Sequence, residues 1–211
     1  FFFQAVDGIR NAQESRGLGD VYKRQTLLTA TNIVTGNAGA TLTLGAIDTG
    51  EIVGTTGILG TSALTIDGAG NTVISGTLAG RGSLVKLGAG ELALTAANTI
   101  EGIITIQQGT VRVTNNAGLG AVTGHTSVLS GASLILDASG GALTIAEPLS
   151  LAEGGVGFGT PTTPSGLGAL RAIAGNSVYT GGIELASKVV IGVDAGATLD
   201  ISGQIVAPTT V

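Results

Sequence analysis

Residues Gly82–Gly120 read GSLVKLGAGELALTAANTIEGIITIQQGTVRVTNNAGLG, and this stretch decides the fold. It is a series of short segments cut by glycines: Gly82-Ser-Leu-Val-Lys-Leu, Gly90-Glu-Leu-Ala-Leu-Thr, Ile103-Ile-Thr-Ile and Gly109-Thr-Val-Arg-Val-Thr. Side chains alternate within them, so Leu92 and Leu94, or Val111 and Val113, share one face while Ala93 and Arg112 take the other. No run keeps an apolar period of 3.6 residues, and the recurring glycines would break a helix before it formed. The reading is short β-strands with one dry and one wet face.

The unit recurs outside this window as Gly39-Ala-Thr-Leu-Thr-Leu, Ser62-Ala-Leu-Thr-Ile, Gly131-Ala-Ser-Leu-Ile-Leu, Gly141-Ala-Leu-Thr-Ile and Gly196-Ala-Thr-Leu-Asp-Ile. Several neighbouring copies start roughly twenty residues apart, the spacing of a coil that returns to stack on itself. The fold expected is therefore all-β, a solenoid of β-rungs forming one continuous rod over 26–211. Eight or nine rungs at about 4.8 Å would span on the order of 40 Å. Further strands are expected at Leu42–Leu44 and Ile52–Val53, two within Leu64–Ser75 around Asp67-Gly-Ala-Gly-Asn71, a continuation of the stack across Pro148 over Leu143–Leu151, and strands at Ala169–Ile173, Ile183–Leu185, Val189–Val193 and Thr198–Ile201. Loops are expected at Thr114–Gly124, with Asn115 and Asn116 at a bend, and at the Gly- and Pro-rich Gly154–Gly168, the best candidate for a projecting contact surface.

Phe1–Gln25 does not share this grammar. It holds four of the six aromatics (Phe1, Phe2, Phe3, Tyr22) and four of the nine basic residues (Arg10, Arg16, Lys23, Arg24), and it lacks the apolar core of a secretory signal. Ser15–Gln25, SRGLGDVYKRQ, reads residue for residue as one frame of a transposase-type sequencing adapter. Gln4–Asn11, QAVDGIRN, resembles a translated flow-cell adapter, departing at Val6 and Asn11. Residues 1–25 are accordingly set apart as a non-native segment, and the native chain is expected to extend upstream of Thr26 and beyond Val211.

The remaining body has two aromatics, Phe158 and Tyr179, and no Cys, Met or Trp. Its core must be thin layers of Leu, Ile, Val and Ala, which suits a slender stacked coil better than a sphere. Five basic residues (Arg81, Lys86, Arg112, Arg171, Lys188) face eleven carboxylates, and the whole chain carries a formal charge of −5. With neither a basic stripe nor stacking aromatics, nucleic acid is not an expected partner. Absent cysteines exclude disulfides and thiolate metal sites. No apolar run approaches a membrane helix, and the strands are short and without aromatic girdles for a membrane barrel.

Gly82–Val111 resembles the autotransporter-associated β-strand repeat of passenger domains in Gram-negative bacteria. The matching residues are Gly82, Leu84, Lys86, Gly88, Gly90, Leu92, Leu94, Asn98, Thr99, Gly102, Thr105, Ile106, Gly109 and Thr110, with departures at Ile100, Ile103 and Val111. Gly168-Ala-Leu-Arg-Ala-Ile-Ala-Gly-Asn-Ser, Tyr179-Thr-Gly-Gly-Ile and Ile191-Gly-Val-Asp-Ala-Gly-Ala-Thr-Leu are similar to passenger segments that follow such repeats. The resemblance implies a right-handed parallel β-helix, exported through the periplasm and displayed or released by a C-terminal translocator barrel, with the repeat assisting export. It implies a host-surface or cell-surface protein or glycan as partner, and the barrel itself, which this chain does not contain.

Candidate chemistry is sparse. His125, the only histidine, would need Ser127 or Ser130 and Asp137 to form a hydrolytic triad, but no nucleophile-elbow motif accompanies it, and it reads as a solvated loop residue. Asp137, Glu147, Glu153, Glu184, Asp194 and Asp200 stand singly and read as solvated rim charges rather than as a two-carboxylate hydrolytic pair. Asp67-Gly-Ala-Gly-Asn reads as a turn, the calcium-binding nonapeptide is absent, and Gly155-Val-Gly-Phe-Gly159 lacks the helix that phosphate binding requires. No catalytic residue, cofactor or metal is assigned. The function expected is a non-enzymatic structural or adhesive stalk. The alternative is a β-helical polysaccharide lyase or hydrolase, which carboxylates converging in one groove would mark.

Overall fold

A computed structural model describes residues 25–26, 31–49, 63–152 and 168–207. The expected strand at Ile52–Val53, Glu153, the Gly154–Gly168 loop save Gly168, and nearly all of the segment 1–25 lie outside the described residues.

Every described strand pairs in parallel with a strand of the next turn of the chain. The chain coils around three walls, as a parallel β-helix. The first wall stacks eight strands: Thr31–Val34, Leu64–Asp67, Leu84–Lys86, Ile104–Ile106, Thr126–Val128, Leu149–Leu151, Ile183–Leu185 and Ile205–Val206. At about 4.8 Å per step this wall is about 34 Å tall. The second wall stacks seven, Thr41–Leu44, Asn71–Ile74, Glu91–Leu94, Gly109–Val113, Ala132–Asp137, Leu170–Ala174 and Ile191–Val193. No helix occurs among the described residues.

Alternation within each strand builds the core. Leu64, Leu84, Ile104, Thr126, Leu149 and Ile183 stand above one another in one inward column, and Ile66, Lys86, Ile106, Val128 and Leu151 in the next. The second wall answers with Leu92, Val111, Leu134 and Leu170, and with Leu94, Val113, Leu136 and Ala172. All of these are buried. Like stacks on like because parallel pairing without a register shift keeps each inward residue beneath its counterpart.

The third wall is discontinuous. Gln25–Thr26, Ile47–Asp48, Leu78–Gly80 and Thr99–Ile100 form its lower part, and Leu143–Ile145, Asn176–Tyr179 and Thr198–Ile201 its upper part. Between them one coil carries the turns of the expected 114–124 loop in place of a strand. Asn98 ties the lower part to those turns: its Oδ1 accepts from Leu78 N at 2.8 Å and its Nδ2 donates to Gly118 O at 2.6 Å.

The corners are made by glycines. Gly68 takes φ +110°, and its amide donates to Asp67 Oδ1 at 2.6 Å, so Asp67–Asn71 is the turn its sequence suggests.

Candidate functional site

The outward residues of the second wall form a row in register, Val73, Ala93, Arg112, Ile135, Arg171 and Gly192. Charge on this face is paired. Arg112 donates from Nε to Glu91 Oε1 at 2.9 Å and from Nη1 to Asp137 Oδ2 at 3.1 Å, so one guanidinium clamps carboxylates from the coils on either side. Arg171 grips both oxygens of Asp194, at 2.7 and 2.6 Å. Burial opposes ionisation of Asp137, but hydrogen bonds from Ser139 and Arg112 outweigh it and hold the carboxyl below its ordinary range. Two carboxylates do converge here, yet on a shared cation, which suits a coil-to-coil clamp rather than an acid–base pair.

Arg112→Ala is expected to destabilise the chain by about 1–2 kcal/mol, because it strips the cation from a nearly buried Asp137. A carboxyl held low contributes stability that is present above its unfolded value and lost as the pH falls through the folded one. Urea titrations at pH 7 and pH 3, at low and high salt, should therefore show the variant losing less on acidification and on adding salt than the parent.

The first wall presents Thr65, Val85, Thr105, Ser127, Ser150, Glu184 and Val206 outward in one row. Beside it runs an open groove of about 400 Å³ whose polar residues are His125, Ser150, Glu184 and Gln204. No hydrogen bond joins His125 to Ser150, Glu184, Ser127, Ser130 or Asp137 among the described residues, and Asp137 lies on another wall, committed to Arg112 and Ser139. The histidine is thus half-buried without the geometry of a triad. No cluster that could hold a metal ion occurs among the described residues.

Two ionisable groups lie inside the coil, where the sequence reading did not place them. Lys86 is enclosed, with its stem filling the inward column between Ile66 and Ile106. Its Nζ donates to the carbonyls of Leu87 at 2.5 Å, Gly88 at 2.7 Å and Gln108 at 3.4 Å. Burial pushes its pKa down to about 8, against the pull of Asp67. Glu147 is also enclosed, and this corrects the expectation of rim charges: Glu184 and Asp200 are exposed, Asp137 and Asp194 are ion-paired, and Glu147 is interior. Burial pushes its pKa up to about 8, only partly countered by Thr126 Oγ1, which donates to Oε2 at 3.3 Å. Tyr179 is fully buried above it and donates its hydroxyl to the Glu147 backbone carbonyl at 2.8 Å.

Residues 84–113 match the family model of the passenger-associated transport repeat. The chain is 38% identical over 162 residues, 71% of its length, to the adhesin BmaC autotransporter of Brucella suis biovar 1 (strain 1330). The chain is an autotransporter passenger segment. Lys86 and Asn98 of this passenger both fall within the matched repeat, one capping a corner and the other bridging two coils. The match spans about 5% of the Brucella protein's length. No solved structure matches the chain.

Proposed function

We propose that this passenger segment is a non-catalytic stalk on a surface-displayed or secreted protein of a Gram-negative bacterium. It holds adhesive segments away from the cell, and its transport repeat assists export through the periplasm. The observation that carries this reading is the pairing of charge on the second wall, where Arg112 and Arg171 are each saturated by carboxylates. Two-carboxylate glycoside hydrolysis needs one acid protonated near neutrality beside a second that is ionised, both open to substrate. Here the carboxyl pushed up to about 8 is Glu147, enclosed in the coil, and the convergent pair is held by Arg112. The name of the Brucella relative, an adhesin, supports contact with a host-surface or cell-surface protein or glycan. By its sequence, Gly154–Gly168 is the first candidate for that contact.

The test compares cells displaying the full-length passenger with cells whose passenger lacks Thr26–Val211. Adhesion to host cells and surface yield should both fall on deletion. The purified chain should release neither reducing ends nor unsaturated uronates from polysaccharides. Turnover abolished by a carboxylate substitution would overturn the stalk in favour of the enzyme, and a deletion that changes neither adhesion nor yield would overturn it outright.

A further inference from the structure

The interruption of the third wall coincides with the buried acid. No backbone ladder joins the turns of 114–125 to Leu143–Ile145 among the described residues; on this wall the two levels are bridged by side chains. Asn116 Oδ1 accepts from Thr144 N at 2.8 Å, and Thr126 Oγ1 donates to Glu147. Glu147 also stands in a column whose other members among the described residues are Gly82, Gly102, Gly124, Gly181 and Gly203. A Cβ on Gly102 would strike Gly82 O, one on Gly124 would lie 3.1 Å from Gly102 O, one on Gly181 would strike Glu147 O, and one on Gly203 would strike Gly181 O. Among the described residues, only at the level above the turns does this column carry a side chain, and it runs inward, with Oε1 buried and without a hydrogen-bond partner.

We propose that Glu147 is a proton-operated latch between the lower and upper coils of the rod: as a neutral carboxylic acid it keeps the joint closed, and as a carboxylate it opens it. The groups around it offer no counter-charge. Thr126 faces it from the first wall and Tyr179 from the third, His125 lines the outer groove on the far side of Thr126, and Glu184 is exposed on the next coil. No Lys or Arg lies within ion-pair distance among the described residues. Ionisation therefore leaves a bare negative charge in an aliphatic interior, relieved only by admitting water at the joint. Burial raises the Glu147 pKa from about 4.5 to about 8. The native coil thus keeps a proton that the opened chain releases, so closure is fully favoured below about 4.5 and weakens as the pH rises to about 8.

Amide hydrogen exchange of the intact chain, followed from pH 5 to 9 and corrected for intrinsic base catalysis, tests this. Protection of Thr126 and Ala152, whose amides bond Pro148 O and Val128 O across the joint, should fall about tenfold per pH unit up to about pH 8, while Leu92 stays level. Glu147→Gln should abolish the slope. An equal slope in the variant, or no slope in the parent, overturns the proposal. Should the variant fail to fold, the carboxyl carbon resonance of Glu147 in the parent decides: a midpoint near 8 supports the latch, and one below about 6 overturns it.

Discussion

Lys86→Ala is expected to cost about 3–5 kcal/mol, the range for emptying a long side chain from a packed column while removing the donor that three carbonyls share. The column is otherwise aliphatic, so the four methylenes of Lys86 occupy the place of a leucine, and the ammonium emerges where the chain turns the corner at Gly88. Lys86→Met separates the two contributions: it keeps the volume and loses the charge, and its cost should be less than half as large. A lysine whose folded pKa lies below its unfolded value exacts its full burial penalty below about 8, and that penalty disappears as the pH rises toward 10.5. Glu147 acts in the opposite sense below 8, so the parent should be least stable near pH 8, and each single variant should remove one limb of that minimum. Urea denaturation across pH 5–10 reads all of this. An alanine variant within 1 kcal/mol of the parent would show that the enclosed ammonium is dispensable.

Gly102→Val is expected to be at least as damaging, at about 3 kcal/mol or more or with loss of the folded chain. Even the Cβ would overlap Gly82 O, a backbone atom that can yield only if two coils separate. Separation breaks the ladder on both sides of the corner, within the matched transport repeat. Gly36→Ala is the control, since its Cβ would meet nothing within 4 Å, and it should lie within about 0.5 kcal/mol of the parent. Circular dichroism melts of both variants give the comparison, and equal melting temperatures would refute the close-packed corner.

The strand positions and the stacked coil were legible because alternation and glycine spacing are local properties of the chain. Leu84 and Leu64 fall in one column because parallel pairing merely repeats what each strand states alone. Lys86 was legible in principle: it lies two residues beyond Leu84, and the rule that put Leu94 beside Leu92 also puts Lys86 inside. Its charge argued the other way, and only the corner carbonyls at Leu87, Gly88 and Gln108 explain why the interior accepts it. Glu147 carried the same signal, in phase with Leu143, Ile145, Leu149 and Leu151, and again its charge argued the other way; the expected 143–151 strand is broken at Pro148 into Leu143–Ile145 and Leu149–Leu151, with Glu147 at the corner between them. The clamp at Arg112 was hidden for a different reason, because Glu91 and Asp137 meet only when coils are laid above one another.

Because every ladder among the described residues is parallel and runs from coil to coil, the interstrand hydrogen bonds point along the rod. Tension applied between its ends therefore loads those bonds a few at a time, peeling one turn before stressing the next, whereas sheared sheets resist all at once. Each released turn of some twenty residues would pay out about 70 Å of slack. A segment built this way yields by stepwise lengthening and dissipates load as it does so.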